Sequence, residues 1–445
     1  MKFNESVPSV PLPTEEYRRH RKLEKATAQP GTPTLQVILP PPPRPLPGTR
    51  VLIWKQDPTV AEIGIRKAYL ANPVLVGPKD ARITTQGLLP VTPNVLGDFI
   101  QVPNTDAFDA VHTFAIVRQT LTMYQRAFNG TPLPWQWNSS TNTDPLNVFP
   151  HAGNTMNAFY SRNEKALKFF FFNKPGDPST APKIFTCRSL DIVAHETGHA
   201  ILDALKPGWL AFGNPPQTGG LHESFGDLTA IFLTLSQLDQ VEAIIAQTKA
   251  NLHDKTFLAD LAEQFGLALG RPNGLRNADN DLKLSEVGTE VHAISQVFTG
   301  TIYDILADIF AFERNPGKKD DAALLHDVAQ YVCSLVLRAI IAAPNQNATY
   351  AHIANNMLNI ALNDAKPIQY RNFIRNRFTI REVVVSPTPL ALDVPMHADL
   401  LPHITDANKA IQNRQGCCGT MQHPEYTQPE EAIKEELKSL KASFS

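Results

Sequence analysis

Cysteine is scarce in this chain, four residues in 445, and that excludes a disulfide framework. Cys187 and Cys333 sit in apolar runs and read as buried thiols, whereas Cys417 and Cys418 are adjacent in a glycine-flanked loop, QGCCGT. Two neighbouring cysteines supply half the ligands of a closed metal site, so they read as loop thiols. Surplus charge is also missing: 41 Lys and Arg against 43 Asp and Glu leave a formal −2. No basic field exists to attract nucleic acid or an anionic membrane surface. The first residues, MKFNESVPSVPLPTEEYRRHRKLEKA, lack the apolar run of a secretory signal, and no stretch is expected to span a membrane. Cytoplasmic residence is the default expectation, with export by a route lacking a cleavable signal as the alternative.

What is present is a substantial apolar fraction, 42%, enough for one large two-lobed unit with extensions. Residues 1–48 read as a polar arm ending in the proline-rich linker ILPPPPRPLPG. Residues 49–206 read as a β-rich lobe. Hairpins are expected from VLIW, NPVLVG and GDFIQV, a helix at Ala107–Phe128, and two strands within Met156–Phe172, where four phenylalanines suggest a strand buried on both faces. Residues 207–378 read as a helical lobe, with helices at Leu221–Ser236, within SQLDQVEAIIAQTKANL, and at Val291–Phe312, Ala322–Ala343 and Thr349–Ala365. Residues 379–445 form a C-terminal extension. The predicted class is α+β.

A helix at Leu190–Lys206 falls at the junction of the two lobes, where clefts form. It contains DIVAHETGHAILDAL. Residues four apart share a helix face, so His195 and His199 can present imidazoles to one ion, and Glu196 lies beside them as a base. Chance alone places His-Glu-x-x-His in about one chain in a hundred of this length. Apolar Ile192, Val193, Ile201 and Leu202 flank the pair, and burying two imidazoles without partners is costly. A catalytic zinc wants three protein ligands and one open position. Glu223, in GGLHESFGDLTAIF, is available as the third, and Asp227 lies one turn on, able to accept a hydrogen bond from a ligand imidazole. His222 is expected on a loop or cleft wall, since neighbouring helical residues point about 100° apart. The metzincin continuation, a glycine and a third histidine, is absent, as is the Gly-x-Met-Glu-Asn-like strand of a gluzincin aminopeptidase.

Beyond these residues, the chain from about Gly97 to Ala365 resembles the thermolysin-like zinc metalloendopeptidases in six segments in family order. These are DAVHTFAIVRQTL, NAFY, IFTCRSLDIVAHETGHAILDAL, GGLHESFGD, GLRNAD and VHAIS. The resemblance implies a bilobal fold and a peptidase that cleaves peptides or proteins. His195, His199 and Glu223 would hold Zn2+. Glu196 would take a proton from zinc-bound water, and His292 would donate to the oxyanion. Arg276 would bind the carbonyl after the scissile bond. Asn157 and the backbone of Ala158 would hold the peptide extended. Ile192 and Leu275 would line a pocket for a bulky apolar residue after the scissile bond.

The chain also departs from the family pattern. The active-site tyrosine is missing, with Trp209 or Leu210 nearby. Glu286 or Glu290 must orient His292. Of the family's Ca2+ positions only Asp191 is matched, so the calcium sites are not carried over. Two other readings stand beside the peptidase: a catalytically inactive peptidase-like binding scaffold, and an oligopeptidase with a restricted cleft.

Overall fold

The computed structural model describes residues 48–271 and 274–383. The chain divides into two units, Met1–Leu46 and Pro47–Ser445. The first unit, with nearly all of the expected proline-rich linker, lies outside the described residues, as do Cys417 and Cys418.

Strands β1 (Thr49–Trp54) and β2 (Ile65–Leu70) form an antiparallel hairpin in the register Thr49↔Leu70 to Trp54↔Ile65. The other two expected hairpin runs do not become strands; they contribute isolated bridges such as Leu75–Lys79 and Val51–Phe99. A four-stranded sheet follows in the order β3 (Ile83–Thr85), β4 (Leu146–Phe149), β6 (Ala166–Phe169), β5 (Ala158–Ser161). Its β3–β4 and β4–β6 pairs are parallel, and β5–β6 is antiparallel. This leaves β5 at one edge.

The phenylalanine run is not one strand buried on both faces. Pairing breaks at Phe170, and β7 (Phe171–Phe172) turns to β8 (Ile184–Phe185). Phe169 and Phe172 are buried, whereas Phe170 and Phe171 are half-buried.

The helices begin where caps allow. Thr105 Oγ1 accepts from Phe108 N at the head of α1 (Asp106–Ala127), with Asp106 and Asp109 in the first turn, where acidic groups suit the helix dipole. Ser189 caps α2 (Leu190–Leu205), and Pro207 stops it. Helix α3 runs Pro216–Leu235, five residues longer at its start than expected. Proline suits a first helical turn. Gly220 lies within the helix at a point with no room for a side chain, since a Cβ there would meet Tyr350 Oη at 2.4 Å and Ile294 Cγ2 at 2.7 Å. Next come α4 (Leu238–Thr248), α5 (Glu263–Ala268), α6 (Val291–Glu313), α7 (Asp321–Ala342), α8 (Tyr350–Asn363) and α9 (Ile368–Ile380). A short ladder joins β9 (Asp260–Leu261) to β10 (Arg276–Asn277).

The last helix was not expected, and it crosses the expected boundary at 378. Among the described residues, helix α7 is long and apolar enough to cross a membrane by length and composition alone, and 56% of its apolar window is buried inside the protein. A large apolar core extends from Val51 to Val383, with a smaller cluster of Phe172, Ala262, Phe265, Ala268 and Leu275, and the mixture of helices and sheets makes the fold α+β. Cys187 and Cys333 are both buried free thiols, as expected.

Candidate metal centre and substrate pocket

Helices α2 and α3 pack closely because two glycines let them. A Cβ on Gly198 would meet Thr229 Oγ1 at 2.5 Å, and one on Gly226 would meet the His195 ring at 2.6 Å. This contact brings the expected residues together. Glu223 stands beside both imidazoles: His195 Nε2 is 3.5 Å from Glu223 Oε2, and His199 Nε2 is 3.7 Å from Glu223 Oε1. Donor atoms around a tetrahedral zinc, with ligands near 2.0–2.1 Å, stand about 3.3 Å apart. His199 Nε2 and both Glu223 oxygens are buried without a hydrogen bond, so the residues present fit a zinc ion.

The far nitrogen of each ring is also engaged. His195 Nδ1 meets Asp227 Oδ1 at 3.0 Å, and Arg276 grips the same carboxylate through Nε and Nη2. His222 is neither in a loop nor on a cleft wall. It is fully buried on α3, with Nδ1 2.7 Å from His199 Nδ1. Burial opposes charge on Glu223, yet His292, His199 and His195 hold its carboxyl well below the usual range. Burial likewise opposes charge on His195, but Asp227 and Glu223 carry it up to about 10.

Donor atoms of His195, Glu196 and His199 lie within 4.8 Å of one another, one of three such groups among the described residues. The other two have arginine-paired carboxylates. Asp109, grouped with His151 and Cys187, takes two hydrogen bonds from Arg188 at 2.8 Å. Asp304, grouped with His253 and Asp279, is bound by Arg381 at 2.8 Å. A guanidinium already satisfies those anions, which leaves the α2 group, with Glu223 of α3 beside it, as the candidate centre.

No family model matches the chain, and no curated protein matches it.

Glu196 is fully buried, and its Oε2 accepts from Tyr160 N on β5 at 3.0 Å. His292, the second residue of α6, holds Nε2 3.1 Å from Glu223 Oε2. Of the two candidate orienting carboxylates, Glu290 performs the task. Its Oε1 meets His292 Nδ1 at 2.8 Å, while Oε2 caps α6 by accepting from His292 N and Ala293 N. Glu286 accepts from Lys283 N instead. Trp209 is fully buried and gives its indole N–H to Pro344 O at 2.9 Å, so it does not stand in for the missing tyrosine.

A pocket opens beside the centre. Ala158, Ile192, Leu275, Arg276, His195 and Glu196 all border it, and Leu261, Ala262 and Phe265 complete an apolar wall. Those three residues were missed because nothing in their local pattern separates a pocket wall from ordinary core. Asn157 is buried, and its Oδ1 accepts from Ala158 N at 2.9 Å. The two groups expected to hold a peptide therefore hold each other. Asp191 also borders the pocket. Burial and the charge of Asp57 raise its pKa, and burial with Asp191 raises Glu263.

Proposed function

We propose that the chain is a zinc-dependent metallopeptidase of the thermolysin-like type, bilobal, with α2 at the junction of a β-rich and a helical lobe. The observation that carries the reading is the convergence of His195, His199 and Glu223, with separations of 3.5 and 3.7 Å that suit one tetrahedral ion. Glu196 and an apolar pocket lie beside it. When bound, zinc supplies Lewis acidity at that point. The remaining chemistry belongs to side chains. Glu196, held by the Tyr160 amide, removes a proton from the attacking water and returns it to the leaving nitrogen. His292, held by Glu290, donates to the developing oxyanion. Arg276, clamped on Asp227, borders the pocket and offers donors to the carbonyl after the scissile bond. Ile192, Leu261, Phe265 and Leu275 favour a bulky apolar side chain at that position.

The decisive experiment is metal analysis of the purified chain alongside casein digestion with and without chelator. One zinc per chain and chelator-sensitive digestion are expected; a metal-free chain, or digestion indifferent to chelator, counts against the reading. One observation favours a second reading, an inactive scaffold. His292 Nε2, 3.1 Å from Glu223, is near enough to the donor set to close it as a fourth ligand, and closed sites are structural. His292→Ala separates the two: a peptidase keeps its zinc and loses turnover, whereas a closed scaffold loses zinc.

A further inference from the structure

His199 has a partner that no motif announces. Its Nδ1 lies 2.7 Å from His222 Nδ1, and the two rings stack with centroids 4.8 Å apart and planes at 28°. Both side chains are fully buried. Two ring nitrogens at hydrogen-bond distance share one proton, so one ring donates while the other accepts. A neutral ring that offers Nε2 to a cation carries its proton on Nδ1. His199 is therefore the donor whenever its Nε2 serves as a ligand, and His222 must then accept at Nδ1 and carry its own proton on Nε2. His222 Nε2 makes no hydrogen bond, so nothing on the far side of that ring competes to set its tautomer.

We propose that His222 is a positioning residue for a divalent cation of the zinc class. By accepting from His199 Nδ1 it fixes the tautomer that leaves the His199 Nε2 lone pair free to ligate. The inference rests on the metal reading above and extends it from the ligands to what orients them. It also makes the two ligand imidazoles unequal. His195 is backed by a carboxylate, Asp227 at 3.0 Å, while His199 is backed by a neutral ring. A neutral acceptor polarises a ligand imidazole less than an anion does, so His199 is the less basic of the two. One turn of α3 supplies both the third ligand, Glu223, and the His222 that orients the second.

The test uses the full chain with zinc or cobalt(II) alone and no substrate. His222→Leu removes the acceptor. His222→Asn restores it, because the carboxamide oxygen branches from the same carbon position as Nδ1. In competition against a chromophoric chelator, His222→Leu is expected to bind zinc about 10- to 100-fold more weakly, and His222→Asn to recover most of that loss. The cobalt(II) absorption spectrum should change in the first variant and return in the second, with Tm recorded for both. In wild type with zinc bound, nitrogen-15 shifts should show Nδ1–H on His199 and Nε2–H on His222, a readout that does not depend on any variant folding. The reverse tautomers would overturn the proposal, as would a folded His222→Leu that binds zinc like wild type, or an Asn variant that rescues nothing. A wild-type chain that takes up no zinc sinks the metal reading itself and this inference with it.

Discussion

Gly226 lies flat against the imidazole of His195: a Cβ built there would sit 2.6 Å from both Cε1 and Nδ1 of the ring. The ring has little room to retreat, because Asp227 holds its Nδ1 at 3.0 Å. Gly226→Ala should push the ligand away from Glu223 and lower zinc affinity at least tenfold, in the range seen when ligand support is lost. Gly288→Ala, where nothing lies within 4 Å of the added carbon, should leave affinity unchanged. Chelator competition on the two purified variants checks both.

Glu196→Gln keeps the acceptor that Tyr160 N uses but removes the base. Peptide hydrolysis should fall by about 10²–10⁴-fold, with zinc content equal to wild type. If turnover persists, proton transfer belongs to another group.

Glu290 serves His292 and the helix cap with different oxygens, so the two roles can be separated. Glu290→Ala should lose both, with about 0.5–2 kcal/mol of stability from the cap and a lower kcat. Glu290→Asp remains a good capping residue but is one methylene short of His292 Nδ1. Its Tm should stay near wild type while kcat falls.

His112 is buried in α1, and burial pushes its pKa down to about 4 against the pull of Asp109. Unfolded, it takes up its proton near 6.5. Between those values the unfolded chain holds a proton that the folded chain does not, so acidification favours unfolding. Stability should be fully present above about pH 6.5 and decline by about 3 kcal/mol towards pH 4 from this group alone. His112→Phe should flatten that part of the curve in urea unfolding followed from pH 7 to pH 4.

The helices were legible in the sequence where the apolar period ran long, and in the structure Thr105, Ser189 and Glu290 cap three of them. They were misread where glycine carried a tertiary meaning. Gly219 and Gly220 read as loop, yet Gly220 is the point where Tyr350 and Ile294 press on α3. The run Phe169–Phe172 suggested one deep strand because period alone does not reveal a change of partner at Phe170. Helix α9 was missed, its sequence IQYRNFIRNRFTI carrying three arginines among its apolar positions. At the site, the imidazole pair could be read from spacing, and Glu223 as a carboxylate available on the next helix. The His222–His199 bond and the Glu290–His292 bond could not, since each depends on which oxygen or ring nitrogen faces which neighbour after packing. Ile192 and Leu275 were reached only through the family resemblance, and Phe265 not at all.

Strand β5 ends the sheet, and two of its N–H groups bond to side chains: Ala158 N to Asn157 and Tyr160 N to Glu196. A sheet border with bare amides invites another copy to add on and grow. Here the rim is sealed by its own neighbours at rest, so the concentrated protein should resist edge-to-edge self-assembly. Replacing Asn157 with Ala should then show itself first as turbidity in storage.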